Sequence, residues 1–192
     1  MDFIYSVDFA INDFISEHLT ANFLNPIMSF ISFLGDKGWF WIALALTMLF
    51  FKKTRVIGIT MAVAMVFSLI FTNLILKPIV DRPRPWVYAF EHFGREIEIL
   101  IHKPHDASFP SGHTSISFAP AVAIFMRNKK YGSFALALAS LIGFSRLYFY
   151  IHYPTDVLGG LILGVAYGIG AYFLTNFIID LISKKSHKDK AT

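Results

Sequence analysis

Three short polar clusters in this 192-residue chain hold the residue types that handle phosphate. Lys77 is followed, after six residues, by Arg84 and Pro85. Pro110, Ser111, Gly112 and His113 are consecutive. Ser145 and Arg146 lead, after five residues, to His152 and, after three more, to Asp156. Lys77, Arg84 and Arg146 make an anion clamp, because guanidinium forks match phosphate oxygens in pairs and an ammonium adds a point charge. Ser111 and Gly112 precede an apolar helical stretch, so free N–H groups there can point at a phosphate oxygen, and a glycine lets the backbone come close. Imidazole titrates near neutrality, which suits His152 and His113 to nucleophile and proton-donor roles. Asp156, four residues after His152, can accept a proton from one ring nitrogen and leave the other free to attack. No metal-ligand set accompanies them. His102 and His105 lie three apart with no further ligand near in sequence, Asp156 has no partner acid at ligand spacing, and there is no cysteine. The three cations supply the neutralisation that a divalent ion would bring, so neither metal nor cofactor is expected.

These clusters stand in an apolar background. Hydrophobic residues make up 55% of the chain and charged residues 16%, against about a quarter charged in soluble domains, and the mean hydropathy is +0.56. A span needs roughly 20 apolar residues. Five stretches approach this: Pro26–Phe51, interrupted at Gly35–Gly38; Val56–Leu76; His113–Met126, short and bent by Pro120; Tyr131–Tyr150; and Val157–Ile182. Residues 1–25 repeat Phe3, Ile4, Val7, Ile11, Phe14 and Ile15 at helical spacing with polar breaks, an amphipathic pattern that lies at the membrane interface; a tilted sixth span is the alternative. The expected fold is therefore all-α, a polytopic membrane helix bundle of five to six spans. It divides into an N-terminal helix (1–25), a membrane-embedded domain (26–182) and a basic tail (183–192).

Orientation follows from charge. Lys52, Lys53 and Arg55, then Arg127, Lys129 and Lys130, then Lys184, Lys185, Lys188 and Lys190 all fall on one side when five spans alternate, and the positive-inside rule places that side in the cytoplasm. The opposite side receives residues 1–25, the loop Lys77–Gly112 and the turn Arg146–Asp156, and with them all three polar clusters. Ionisable groups delivered to one membrane face by several span ends are costly and usually functional. Gly160, Gly164 and Gly168 repeat every four residues, a ladder that lets a helix approach closely. Packing inside one bundle is the simpler reading and homodimerisation the alternative.

Taken together the three clusters resemble the signature of the type-two phosphatidic acid phosphatase superfamily, matching each specified position and both internal spacings between Lys77 and Asp156. The resemblance implies that His152 takes up the phosphoryl group, that Asp156 orients it, and that His113 protonates the leaving oxygen. It further implies that Lys77, Arg84, Arg146, Ser111, the Gly112 backbone and Ser145 hold phosphate oxygens, with no metal ion. The expected partner is a lipid phosphate or diphosphate in the bilayer, with no nucleic acid. Compact relatives point to undecaprenyl diphosphate at the extracytoplasmic face of the plasma membrane. Phosphatidate or phosphatidylglycerophosphate, phosphotransfer to an acceptor alcohol, and a non-enzymatic transporter are the alternatives. Outside the motif, Asp81 is expected to pair with a nearby arginine, Arg82 has a substrate or a structural role, and Trp86, Tyr88, Tyr148, Tyr150 and Tyr153 read as an interfacial aromatic belt.

Overall fold

The computed structural model describes residues 2–189, and its elements are all helical. In order they are α1 (Asp2–His18), α2 (Asn25–Leu34), a 3₁₀ turn (Asp36–Gly38), α3 (Trp39–Phe50), α4 (Arg55–Phe67), a π-helical stretch (Ser68–Leu76), α5 (Lys77–Val80), α6 (Pro85–Phe93), α7 (Gly112–Arg127), α8 (Lys129–Tyr148) and α9 (Pro154–Asp189). The expected tail is helical as far as Asp189; Lys190, Ala191 and Thr192 lie outside the described residues.

Two segments, Arg55–Phe93 and Pro154–Lys184, are long and apolar enough to cross a membrane. Helices α2 and α3, bent by 45°, make a third if they count as one broken span. The remaining two expected spans fall short for physical reasons. Helix α7 has 16 residues, about 24 Å at 1.5 Å per residue. It is also the centre of the bundle. Thr114, Ser115 and Ser117 are buried along with the apolar residues from Phe118 to Ile124, so its surface meets protein and need not be lipid-like. Its hydroxyls are matched: Trp41 Nε1 donates to Ser117 Oγ at 3.1 Å, and Ser115 Oγ lies 2.9 Å from Ser68 Oγ. The helix runs through Pro120 without a break. In α8, Lys129, Lys130 and Arg146 stand in the end turns and glycine and serine dilute the rest.

The glycine ladder is spent between α7 and α9. A Cβ on Gly164 would stand 2.7 Å from Phe118 Cβ and 2.9 Å from Ser115 O, and one on Gly168 would meet Ala119 O at 2.7 Å. That face is therefore closed to a second chain. Helix α1 turns its apolar residues Phe3, Ile4, Val7, Ile11 and Phe14 outward and buries Asp8 and Asn12. An outward apolar face over an inner one that mixes Asp8 and Asn12 with Phe9 and Ile15 suits a helix lying against lipid and packed on the bundle. It also alters the expected aromatic belt. Tyr148, Tyr150 and Tyr153 are buried beneath it, with Tyr150 Oη donating to Asp13 and Tyr148 Oη to Asn25, both at 2.6 Å.

Candidate active site

The C-terminal ends of the π-helical stretch and of α8 meet the N-terminal ends of α7 and α9, and the loop residues between helices join them. The basic turns Lys52–Arg55 and Arg127–Lys130 lie at the opposite ends of these helices. A cavity of about 950 Å³ opens among the meeting ends, lined by Lys77, Arg84, Gly112, His113, Arg146 and His152. Six of the nine residues singled out by sequence therefore face one space.

Asp156 stands behind His152. It lies in the first turn of α9, where its Oδ2 accepts the backbone N–H of Tyr153 at 2.9 Å, so it caps the helix as well as meeting the ring. His152 Nδ1 is 3.2 Å from the same Oδ2, and Arg84 Nη1 is 3.1 Å from Nε2. A guanidinium only donates, so Nε2 carries the lone pair and Nδ1 the proton. Asn12, reaching in from α1, donates to the His152 carbonyl at 3.1 Å. Burial, followed by the positive charge of Arg84, Arg146 and Lys77, pushes the His152 imidazole well below its ordinary value. Its Nε2 lone pair meets Arg84 at the wall of the cavity, which both residues line.

Opposite the ring stand the cations. Lys77 and Arg84 are buried, and the Asp106 carboxylate bridges them, bonded to Lys77 Nζ and 2.6 Å from Arg84 Nη2. Arg84 also donates to the Asp106 carbonyl through Nε and to Ile151 O through Nη1, both at 2.9 Å. Burial alone would raise the Asp106 carboxyl, but the Lys77 bond and charge, aided by Arg84, hold it below the ordinary range. Arg146 donates through Nη1 to Ser32 of α2, while its Nε is buried without a partner, a donor free for an incoming anion. Asp36, from the turn that breaks the first span, places Oδ1 3.7 Å from His113 Nε2.

Three expected residues do not line the cavity. Asp156 is the orienting group just described. The Ser111 hydroxyl is the N-cap of α7, accepting from Thr114 N at 3.4 Å and from Thr114 Oγ1 at 2.9 Å. Ser145 Oγ donates back to Ile142 O at 2.7 Å inside α8. Gly112 does line it: a Cβ there would stand 2.8 Å from Asn73 Oδ1, so any side chain would have to displace the Asn73 amide. Sequence reasoning missed Asp106, Asn12, Asp36 and Ser108, whose hydroxyl donates to Asp156 Oδ2. Asp106 and Ser108 sit just before Pro110, and that adjacency was the available signal. Asp81 makes no ion pair among the described residues; its backbone is left-handed, at φ 43, and Arg82 pairs instead with Asp8 and Asp156. No three His, Asp or Glu residues among those described converge as a metal cage; the positive charge at the site is that of Lys77, Arg84 and Arg146.

The apolar helical bundle thus holds a His–Asp pair against three buried cations. The chain belongs to the PAP2 superfamily, which residues 57–179 match. It is 33% identical over 142 residues to an undecaprenyl-diphosphatase of Sulfolobus acidocaldarius, a match covering 73% of this chain and 66% of that protein. It is 36% identical over 96 residues to the undecaprenyl-diphosphatase BcrC of Bacillus subtilis, covering 50% and 47%. These matches span less than two thirds of either relative. A transmembrane PAP2-type phosphatidylglycerolphosphate phosphatase from Bacillus subtilis has a similar structure, with TM-score 0.72 and 27% identity over 95% of this chain and 89% of that one. The structure of Aquifex aeolicus LpxE shares the fold, with TM-score 0.73 over 86% and 94%.

Proposed function

We propose that this protein is a lipid phosphatase that removes the terminal phosphate of a lipid phosphate or diphosphate through a phosphohistidine on His152, without metal. The observation that carries the reading is His152 itself: Nδ1 bonded to Asp156, Nε2 at the wall of a cavity lined by Lys77, Arg84 and Arg146. The terminal phosphate enters the clamp, Nε2 attacks phosphorus, and His113 gives its proton to the leaving oxygen. Water then attacks the phosphohistidine, and His113 takes a proton from that water. The cations neutralise the equatorial oxygens throughout.

The far half of the cavity supports a lipid substrate. Beyond Lys77 and Asn73 it is walled by Leu69, Val66 and Met65 on one side and by Ile42, Leu46 and Leu49 of α3 on the other. An apolar slot continuous with a cation clamp fits one tail and one phosphate. Undecaprenyl diphosphate is the substrate we favour, on the likeness to the two diphosphatases; phosphatidylglycerophosphate is the second reading, on the likeness to the Bacillus subtilis structure. We take the chain to cross the plasma membrane five times, with α1 on the outer surface and the site at the extracytoplasmic face.

The test is phosphate release by the purified protein in detergent with EDTA, from undecaprenyl diphosphate, phosphatidylglycerophosphate and phosphatidate. Release without metal is expected and the preferred lipid fixes the substrate. Full activity in His152→Ala would overturn the mechanism, and transfer of the phosphate to an added alcohol in place of water would make the protein a phosphotransferase.

A further inference from the structure

Arg82 lies outside the motif positions and does not line the cavity, yet it is tied to the site more tightly than several residues that do. Its guanidinium stands behind Asp156, with Nη1 2.7 Å from Asp156 Oδ1 and 2.7 Å from Thr155 Oγ1. Its Nη2 is 2.7 Å from Asp8 Oδ2 of α1. The rings of Tyr153 and Tyr5 flank it, with centroids 3.9 and 4.8 Å from Cζ. Asp8 is itself fixed, accepting the Thr155 N–H at 3.0 Å and the Thr155 hydroxyl at 2.6 Å. Asp8 and Asp156 are both fully buried, and a charged side chain is kept there only when it is paired and hydrogen-bonded. Asp8 and Tyr5 also lie outside the residues that match the family, 57–179.

With Arg82 in place the Asp156 carboxylate has four donors: Arg82 on Oδ1, and the Ser108 hydroxyl, the Tyr153 N–H and His152 Nδ1–H around Oδ2. An ionised carboxylate offers about four lone-pair sites. Three donors crowd Oδ2, and the one on Oδ1 carries a full positive charge. Each of these donors favours the charged carboxylate over its acid form.

We propose that Arg82 is a positioning residue that acts through Asp156, holding that carboxylate charged so that the Nδ1 proton stays on His152 through both chemical steps. This rests on the phosphohistidine reading above and says which step Arg82 serves. In the first step the Nε2 lone pair forms the N–P bond while the P–O bond to the leaving group breaks, and the leaving oxygen takes its proton from His113. The ring then bears Nδ1–H and Nε2–P and is cationic. Asp8, Arg82 and Asp156 together leave one uncompensated negative charge behind it, which balances that cation. In the second step the water oxygen bonds to phosphorus, its proton goes to His113, and the N–P electron pair returns to Nε2. Because Nδ1 has kept its proton, the group that leaves is neutral imidazole. Had Asp156 taken that proton, the leaving group would be an imidazolate, a far stronger base and a poorer leaving group. The charge of Arg82 therefore matters most for breakdown of the phosphoenzyme.

The experiment uses the full chain in detergent and a prenyl diphosphate labelled in its terminal phosphate. Wild type, R82Q and R82K are quenched in alkali during steady turnover, and the labelled fraction of protein is measured beside kcat and KM. In R82Q, kcat falls about 10–100-fold, the range seen when partners behind a ligating histidine are removed. The labelled fraction rises, and KM falls in parallel, so that kcat/KM changes little. R82K keeps the charge and recovers most of kcat with a labelled fraction near that of wild type. A merely structural role gives the opposite pattern, with kcat/KM lost and label unchanged or reduced, and that result overturns the proposal. If R82Q does not fold, R82K decides: retained kcat with wild-type label supports the role of the charge, and lost kcat without added label refutes it. An unlabelled wild-type enzyme would overturn the phosphohistidine reading and this proposal with it, whereas labelled wild type with no rise in R82Q overturns this proposal alone.

Discussion

Replacing Asp106 with asparagine should tighten the binding of every anion the site accepts, and by one common factor. The Asp106 carboxylate occupies Lys77 and Arg84, the cations that hold the substrate phosphate in the mechanism proposed above. An internal competitor reduces the apparent affinity of all external ligands by the fraction of time it leaves the site open. The Asp106 side chain is 55% exposed, so each of its two ion pairs counts as a solvent-screened contact of about 0.5–1 kcal/mol. Together they amount to roughly 1–2 kcal/mol, or roughly a five- to thirtyfold change at 1.4 kcal/mol per decade. Inorganic phosphate and vanadate, assayed as competitive inhibitors of lipid hydrolysis at fixed salt, should both bind D106N tighter by that ratio. Inhibition constants are the proper measure, because KM equals a dissociation constant only when chemistry is slow. The Asp106 carboxyl is held below the ordinary carboxylate range, so it stays charged and the difference should not vary across neutral pH. Unchanged or weaker inhibition in D106N would show that the carboxylate stays beside the bound phosphate, and the displacement argument would be wrong.

Three further outcomes follow from the same geometry. His152 must be neutral to attack, and burial with the charges of Arg84, Arg146 and Lys77 lowers its ionisation. The acid limb of kcat/KM, which reports the free enzyme, should therefore lie below the ordinary imidazole value of about 6.5; a limb above it would refute the assignment. The sign for stability is the same: the unfolded ring protonates first as pH falls, so what its neutral burial contributes is present above that value and lost below it. Gly164→Leu, forced against Phe118 and Ser115, should destabilise the α7–α9 contact by about 1–3 kcal/mol, read as a lowered thermal midpoint in detergent. A cysteine at Glu91, exposed on α6, should react with an impermeant reagent on intact cells; labelling only in inverted vesicles would reverse the orientation.

How much of this was legible in the sequence depended on whether a residue acts along the chain or across it. His152 and Asp156 are four apart and meet within one turn, so their spacing alone predicted the bond. Lys77, Arg84, His113 and Arg146 converge because each ends or opens an apolar stretch, and counting spans put those ends on one side. The hydroxyls of Ser111 and Ser145 turn away from the cavity because a hydroxyl's direction is set locally. Ser111 caps α7 and Ser145 bonds back to Ile142, and both options were open to a serine at those positions. The spans themselves were half legible. A hydropathy pattern reports what lipid requires of a surface, and α7, enclosed by its neighbours, is under no such demand.

What sequence could not reach were contacts between distant segments. Asp8 lies 74 residues from Arg82 and 147 from Thr155; nothing in a run of Phe3, Ile4, Val7 and Ile11 indicates that the polar gaps between them close the back of an active site. The apolar pattern of α1 describes its outward face, where Phe3, Ile4, Val7, Ile11 and Phe14 are exposed and only Ile15 of that set is buried. Its inner face carries the rest: Asp8 on Arg82 and Thr155, Asn12 on the His152 carbonyl, and Asp13 in a pair with Arg95 at 2.7 Å. The motif residues alone would leave Asp156 Oδ1 buried without the Arg82 bond, and the Thr155 N–H without its acceptor Asp8. Through Asp8, which holds Arg82 and Thr155, and Asn12, which holds the His152 carbonyl, this helix is part of the site's construction, although it contributes no motif residue.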